Sequence, residues 1–469
     1  MKDCGAFKAS REIFEWLAQF INLEQGYTPP SMRPERMQII AAAAGHPESC
    51  APAIHVAGSK GKGSITAMVT RILEESGLRV ARYMSPHVTE YRERITLGDA
   101  FFDEPIYIAA GNKLKEITAI LTDETSAEYK ALCDVSDGGS AEPTFFELLT
   151  LFYFLCAAEA KVEALAVETG MGGRLDPTNV VPNSAAIITV IELEHTEFLG
   201  NTVQSVAREK AGIIKNDKPV ILGTQNFDEA LEVFKETAAE KNAPLFYYPD
   251  TVEIKNLNVT KNGTAFQLVC KDKNIFNKPL SINLGMIGEV QAQNAALAIL
   301  AVKKTFPAIT AETIEKALNG FKLIARFEQL QEEPAVVVDG AHTDFSVMLC
   351  VNTWKKLYGT KGILIFGCAL GKNAQAMAES LLPNFSEVVI TTPGTYKVSD
   401  PQSLYKIFTD KLAEYNSNTD NKNQLKTKIT FLPETSKAIS YALDNVKIKN
   451  APLLGIGSFY LAAEIRKFK

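Results

Sequence analysis

Residues 53–76 read AIHVAGSKGKGSITAMVTRILEES. Ala53–Ala57 reads as a buried strand, and Gly58 to Ser64 form a turn rich in Gly and Lys. From about Ser64 to Ser76, the residues Ile65, Met68, Val69, Ile72 and Leu73 recur at i, i+3, i+4, i+7, i+8. That is the period of a helix with one buried face, and Gly77 stops it. In a strand–glycine loop–helix unit, backbone N–H groups of the loop point inward and cradle phosphate oxygens. Lys62 is then placed to reach β- and γ-phosphates, and the Ser64 hydroxyl lies where a Mg²⁺ ligand would be. The spacing departs from G-x-x-x-x-G-K-[ST] in one respect, because Gly63 stands between Lys62 and Ser64.

Outward from this unit, helical and strand patterns alternate, the signature of an α/β fold with parallel sheets. Thr144–Ala160 predicts a helix, Ala164–Glu168 and Ala185–Ile191 predict strands, Val203–Gly212 a helix and Pro219–Leu222 a short strand. Between about Leu245 and Leu284 the pattern changes. Asn262-Gly263 between alternating segments is a strong hairpin signal, so a small antiparallel β module is expected there. A helix follows at about Val290–Lys304. Further strands are expected at Ala335–Asp339, Gly362–Phe366, Glu387–Thr391 and Pro452–Ile456. An acidic stretch within Phe321–Pro334 separates the two patterns, which places one domain at 1–327 and a second α/β unit at 332–469. A cleft between two such domains is a common place for a ligand. The polar stretch Asn416–Lys426 is expected to be a solvated loop or fraying helix end.

The chain has 469 residues, enough for two to four domains at about 100–200 residues each. Hydrophobic residues make up 46% and charged residues 22%, which excludes a disordered chain or a coiled coil. The formal net charge of −6 leaves no broad basic footprint for nucleic acid. No apolar run approaches the ~18 residues of a membrane helix. The longest, Leu148 to Ala158, contains Thr150 and stops at Glu159. The opening residues MKDCGAFKASREIFEW turn charged too soon for a signal peptide. Seven cysteines, at 4, 50, 133, 156, 270, 350 and 368, include no C-x-x-C, so reduced thiols in a cytoplasmic protein are expected.

Four more motifs carry chemistry. Glu168 ends an apolar strand before a Gly-rich loop running to Asp176, and a carboxylate there is placed to hold Mg²⁺. Taken alone, it is equally a strand-end carboxylate before a turn. Glu192-Leu-Glu-His195 follows the strand Ala185–Ile191, which puts His195 beside the same loop. Lys210, in Arg208-Glu-Lys-Ala-Gly, reads by spacing as a surface charge paired with a Glu. Asp339, in Asp-Gly-Ala-His342, ends the first strand of the second unit, where a carboxylate can accept from a ribose hydroxyl.

In this order the motifs resemble one family, the folylpolyglutamate synthase/dihydrofolate synthase enzymes of the Mur ligase superfamily. The resemblance runs from about Ile54 to Leu461. It is dense across HVAGSKGKGS, SPHVTEYRERI, PTFFELLT, ETGMGGRLDPTNVV, HTEFLG, AREKAGIIK, ARFE and DGAH. It implies a P-loop ATPase domain with a small β module, followed by a Rossmann-like domain. It also implies an ATP-dependent acid–amino-acid ligase: ATP phosphorylates a folate carboxylate, and the amine of L-glutamate displaces the phosphate. Such chemistry consists mainly of positioning anions and neutralising their charge. By the resemblance, Lys60, Gly61, Lys62, Gly63 and Ser64 are the ATP phosphate loop. Asn294, Arg326 and Asp339 are further ATP contacts, and Ser85, Glu168 and His195 hold Mg²⁺. Thr144, Phe145, Phe146 and Glu147, with Leu175, Asp176 and Pro177, form the pterin-binding wall. Lys210, carbamylated in this family, and His342 are the expected catalytic residues. The implied substrates are a folate and L-glutamate, with no nucleic-acid or membrane partner, and a monomer is expected. The alternatives are a Mur-type ligase acting on a non-folate carboxylate and a non-catalytic nucleotide-binding relative.

Several positions depart from the family pattern. Glu192 and Glu194 replace a usual Gly and Asp, Thr343-Asp344 replace Asn-Pro, and Gly371-Lys372-Asn373 replace Asp-Lys-Asp. Val290 replaces a His. Asp344 is expected to bring a negative charge near the glutamate site, with Lys372 as the cation that could offset it.

Overall fold

The computed structural model describes residues 5–22, 33–136, 140–194, 196–394, 396–418 and 424–468. Strands β1 (Ala53–Ala57), β2 (Val80–Tyr83), β3 (Ile95–Leu97), β4 (Ala100–Phe101), β5 (Ala164–Glu168), β6 (Ala185–Ile188), β7 (Val220–Leu222) and β8 (Leu245–Tyr247) form one sheet. Its order is β4-β3-β2-β5-β1-β6-β7-β8. From β2 to β8 every neighbouring pair is parallel, and β3 and β4 close one edge antiparallel. β1 and β5 are buried along their whole length because helices cover both faces, so they read as continuous apolar runs rather than alternations.

The helix Lys62–Glu75 starts within the glycine loop, two residues before its expected start, and packs on the helix Glu289–Thr305. The helix Phe145–Glu159 is buried on almost every side. Its apolar run, too short to span a membrane, fills the core against the helix Glu104–Leu121. Each such fully buried Leu or Phe contributes about 1.5–3 kcal/mol. Among the described residues no helix is long and apolar enough to cross a membrane.

The small β module is a three-stranded antiparallel sheet of β9 (Val252–Thr260), β10 (Gly263–Cys270) and β11 (Leu280–Leu284). Gly263 pairs with Thr260, so Lys261 and Asn262 make the hairpin turn. The third sheet contains β12 (Glu328–Gln331), β13 (Val336–Val338), β14 (Gly362–Phe366), β15 (Phe385–Ile390), β16 (Lys428–Phe431) and β17 (Leu453–Ile456). Its order is β12-β13-β17-β14-β15-β16, parallel except for β12.

Two expectations change here. Residues 328–331, read as part of a separating stretch, are themselves an edge strand, since Glu328 and Gln329 pair with Val338 and Val337. The strand expected to reach Ile191 ends at Ile188. The residues beyond it leave the sheet to brace the glycine loop. Ser59 N–H donates to the Val190 carbonyl at 2.9 Å, and the Gln225 side chain holds Thr189 and Ile191. The helix Pro401–Ser417 runs through Asn416, whose amide binds Leu425; residues 419–423 of the expected polar loop, and Cys4, lie outside the described residues. The six described cysteines are free thiols.

Candidate active site

Parallel pairing brings the carboxyl ends of β1, β5 and β6 to one side of the first sheet, the side where α/β sheets bind ligands. A cavity of about 500 Å³ opens there. It is lined by the Ser59–Ser64 loop, by Ser85 and Glu168, and by Asp339 to His342 and Gly457 to Tyr460 from the third-sheet unit. The two units also touch directly: the Tyr91 hydroxyl donates to the Tyr396 hydroxyl at 3.3 Å.

The loop is enclosed on two sides. Gly61 has φ +90°, and a Cβ there would lie 2.6 Å from Asn294 Oδ1. A Cβ on Gly63 would lie 3.3 Å from Arg326 Nη2 and 3.4 Å from Glu168 Oε2. Only glycine leaves this backbone open to a ligand. Asn294 is itself fixed by a bond to Gln291 at 3.0 Å.

Arg326 sits on a kinked segment. Ala325 and Phe327 on either side have φ of 53° and 44°, a left-handed conformation that costs about 1–3 kcal/mol per non-glycine residue. Side-chain acceptors hold the kink: Ala325 N–H donates to Glu328 at 2.8 Å and Phe327 N–H to Asp339 Oδ2 at 2.6 Å. Asp339 also accepts from Ala341 N–H at 2.7 Å. The guanidinium so aimed lies 4.3 Å from the centre of the Phe459 ring.

Charges are concentrated around the loop. Lys62 Nζ donates to the Gly58 carbonyl at 3.1 Å. Lys60 Nζ lies 3.1 Å from Glu194 Oε2 and 3.7 Å from Glu192 Oε2. Lys210 is buried and donates to the Gly58 carbonyl at 2.9 Å and to Glu194 Oε1 at 3.1 Å. Burial pushes its ammonium down to about 8, with Glu194 opposing. Burial pushes the Glu192 carboxyl up to about 7, with Lys60 opposing and Glu194 and Asp344 adding repulsion. Glu168 is buried, accepts from Ser85 N–H at 3.2 Å, and is raised by desolvation against the pull of Lys62 and Arg326. His342 Nδ1 lies 2.7 Å from the Gly340 carbonyl. A carbonyl can only accept, so Nδ1 carries the proton. Burial, with repulsion from Lys372, Lys60 and Lys397, takes this imidazole down to about 3, so it is neutral.

Comparison with known proteins gives the family. The family pattern described as Mur ligase middle domain matches residues 114–302, and the one described as Mur ligase, glutamate ligase domain matches 325–455. Dihydrofolate synthase/folylpolyglutamate synthase of Bacillus subtilis is 34% identical over 352 residues, covering 74% of this chain and 77% of that protein. The chain belongs to the folylpolyglutamate synthase/dihydrofolate synthase family. Folylpolyglutamate synthase of Lacticaseibacillus casei, another member of this family, is 28% identical over 438 residues, 92% of this chain and 93% of that protein. The folylpolyglutamate synthase of Mycobacterium tuberculosis, complexed with ADP and AMPPCP, shares the fold with TM-score 0.81. That match covers 98% of this chain and 97% of the other at 23% identity.

Within this family member, the residues expected from the sequence are brought together with two exceptions. Lys60, Gly61, Lys62, Gly63, Ser64, Ser85, Glu168, Lys210, Asn294, Arg326, Asp339 and His342 all line the cavity. So do Thr144, Phe146, Glu147, Leu175, Asp176 and Pro177. Phe145 does not. It is fully buried in the core, edge-on to Tyr91 at 6.3 Å, because neighbouring helix residues point about 100° apart and only one of the two phenylalanines can face the cavity. His195 lies outside the described residues.

Thr144 and Glu147 are committed to structure as well as to the wall. They form a reciprocal cap on the helix Phe145–Glu159, with Thr144 N–H donating to Glu147 Oε2 at 2.8 Å. Asp344 is not part of the wall. It is exposed at the start of the helix Asp344–Tyr358, whereas Lys372 does line the cavity. Sequence reasoning missed Arg36, Met37, Lys397, Phe459 and Tyr460 on the wall. Pro34-Glu35-Arg36 was readable as a helix start, with Pro at the first position, but no local pattern says which side chain turns inward.

Proposed function

We propose that this protein is an ATP- and Mg²⁺-dependent ligase that joins L-glutamate to a folate through an acyl phosphate. The observation that carries the reading is convergence. A glycine phosphate loop, the buried Glu168 and a neutral His342 from the other unit meet around one cavity of about 500 Å³.

A carboxylate is a poor acylating agent, and transfer of the ATP γ-phosphoryl group gives it a good leaving group. The amine of glutamate then attacks the acyl carbon and inorganic phosphate departs. Lys62 would exchange its bond to the Gly58 carbonyl for phosphate oxygens, and Lys60 and Arg326 add positive charge to the same corner. Asn294 and Asp339 would take the rest of the nucleotide. The neutral His342 leaves Nε2 as an acceptor for an N–H of the incoming amine.

The donor set suits Mg²⁺. A buried carboxylate, Glu168, stands beside the phosphate loop, and Mg²⁺ characteristically takes one or two carboxylates together with phosphates and water. Glu168 with the Ser64 and Ser85 hydroxyls, and His195, would hold it. Bound there it would neutralise phosphate charge. Lys210 is proposed to be carbamylated. Its depressed pKa leaves an appreciable neutral fraction near pH 8, the form that attacks CO₂.

The test is phosphate release with Mg·ATP and glutamate against dihydropteroate, tetrahydrofolate and methylene-tetrahydrofolate. Glutamate-dependent release with at least one is expected, and release with none refutes the folate assignment.

A further inference from the structure

His55 lies on β1, between β5 and β6 in the first sheet, and is fully buried. None of the chemistry above uses it. Its Nε2 is 2.9 Å from Thr178 Oγ1, and Thr178 Oγ1 is 2.5 Å from Asp176 Oδ1. The direction of this chain is fixed by what each group can do. The Asp176 carboxylate accepts from Thr178 N–H at 3.0 Å and from Met171 N–H at 2.8 Å, so it is the accepting end. The Thr178 hydroxyl must therefore give its single proton to Asp176. Its oxygen is left to accept, and His55 Nε2 must be the donor. His55 is then the Nε2–H tautomer with Nδ1 bare, and Nδ1 indeed has no hydrogen-bond partner among the described residues. Desolvation takes this imidazole down to about 3, with Lys215 adding repulsion, so it stays a donor without gaining charge.

The relay ends on a functional surface. Asp176 lines the cavity between Leu175 and Pro177 and ties the Gly170–Gly172 turn to the short helix Pro177–Val180. That turn lies against Phe146: a Cβ on Gly170 would sit 2.4 Å from the Phe146 ring.

We infer that His55 and Thr178 are positioning residues for the acceptor substrate, because the chain His55 Nε2–H to Thr178 O–H to Asp176 fixes the turn that packs against Phe146 in the cavity wall. The inference rests on the folate reading given above and specifies which buried residues aim its acceptor wall. A rigid turn beside an aromatic ring suits a flat heterocycle. The relay therefore acts on acceptor binding and leaves the phosphate loop unchanged.

Steady-state kinetics of the full chain with tetrahydrofolate, dihydropteroate, ATP and glutamate test this. Thr178→Val keeps the branched shape and removes the relay proton. It should raise the acceptor KM about tenfold while leaving the ATP and glutamate KM within about twofold, and Thr178→Ser should restore the acceptor KM. An unchanged acceptor KM in Thr178→Val, or a parallel rise in all three KM values, overturns the inference. Wild-type protein carries a second arm that needs no variant to fold. In the ¹⁵N-histidine-labelled enzyme, the His55 signal should report a non-titrating Nε2–H tautomer between about pH 5.5 and 8.5 and move on adding tetrahydrofolate. An Nδ1–H tautomer, titration in that range, or no response to a saturating folate overturns it. Wild-type enzyme inactive on both acceptors would instead refute the folate reading and the inference with it, whereas failure confined to the relay arms leaves that reading standing.

Discussion

The ammonium of Lys210 lies 3.1 Å from Glu194 Oε1 inside the cavity wall, and the second oxygen of Glu194 lies 3.1 Å from Lys60. One carboxylate thus serves two cations, one within the phosphate loop and one bonded to its Gly58 carbonyl. Conversion of Lys210 to a carbamate would place an anion beside Glu194, so Lys60 and a bound cation would together have to balance the two negative charges.

Lys210→Ala should lose most activity and regain part of it with formate, which restores a small carboxylate in the vacated space. At a fixed concentration of dissolved CO₂, stripped enzyme should recover faster at about pH 8.5 than at about pH 7, because the neutral amine gains population as pH passes about 8. Full activity of the unsupplemented alanine variant would return Lys210 to a purely structural ion pair.

Lys62→Ala should lower turnover by about 10²–10³, the typical loss for one electrostatic contact to the transition state. The fold should survive, since the lysine's bond is to a carbonyl of its own loop. Far-UV circular dichroism and phosphate release together check this, and near-normal release would remove Lys62 from the phosphate site.

Gly61→Ala should weaken ATP binding strongly, because the new methyl would meet Asn294 Oδ1. Backbone strain adds about 1–2 kcal/mol. Gly45→Ala is the control: Gly45 also has positive φ, +77°, but nothing lies within 4 Å of its Cβ position. Titration calorimetry with AMPPCP should show a loss of affinity in Gly61→Ala alone.

Glu192 makes stability depend on pH. Its folded pKa, raised to about 7 by burial, exceeds the ordinary 4.5 of the unfolded carboxyl. Between those values the native state binds more protons, so this contribution is full below about pH 4.5 and lost as pH rises through about 7. Glu192→Gln removes the loss and should be more stable than wild type at about pH 8, by up to about 3 kcal/mol, with the two converging near pH 4.5. Thermal melts at both pH values decide it; a constant difference would mean that Glu192 does not titrate in this window.

Arg36 and Glu147 form a buried ion pair, 2.9 Å apart and with only 1% and 8% of their side-chain surface exposed. Arg36 also donates to Ser136 and to the Ser140 and Glu142 carbonyls. Arg36→Met should cost about 3–5 kcal/mol in urea titration, since it leaves Glu147 buried and unpaired. Arg36→Met with Glu147→Gln should recover part of that; no recovery would place the cost elsewhere.

The α/β class, the phosphate loop with its flanking strand and helix, a β hairpin signalled by Asn262-Gly263, and the order of the motifs were all legible in the sequence, although strand pairing moves the turn itself one residue back, to Lys261-Asn262. These are legible because they depend on local geometry: apolar period, glycine at positive φ and caps a few residues apart. Tertiary structure decided what periodicity does not encode. Phe146 rather than Phe145 faces the cavity because the helix Phe145–Glu159 must turn one side of its first turn to the core. The spacing of Arg208-Glu-Lys210 made Lys210 a surface cation; packing buries it against Gly58, 152 residues away in sequence. Glu194 reaches Lys60 across 134 residues and Arg36 reaches Glu147 across 111. Asp344 and Lys372, ambiguous as a pair in the sequence, are separated by the fold into an exposed helix start and a cavity cation. Such pairings arise only when the fold packs segments that are distant in sequence against one another, where the loss of water makes each charge find a partner from whatever segment lies beside it.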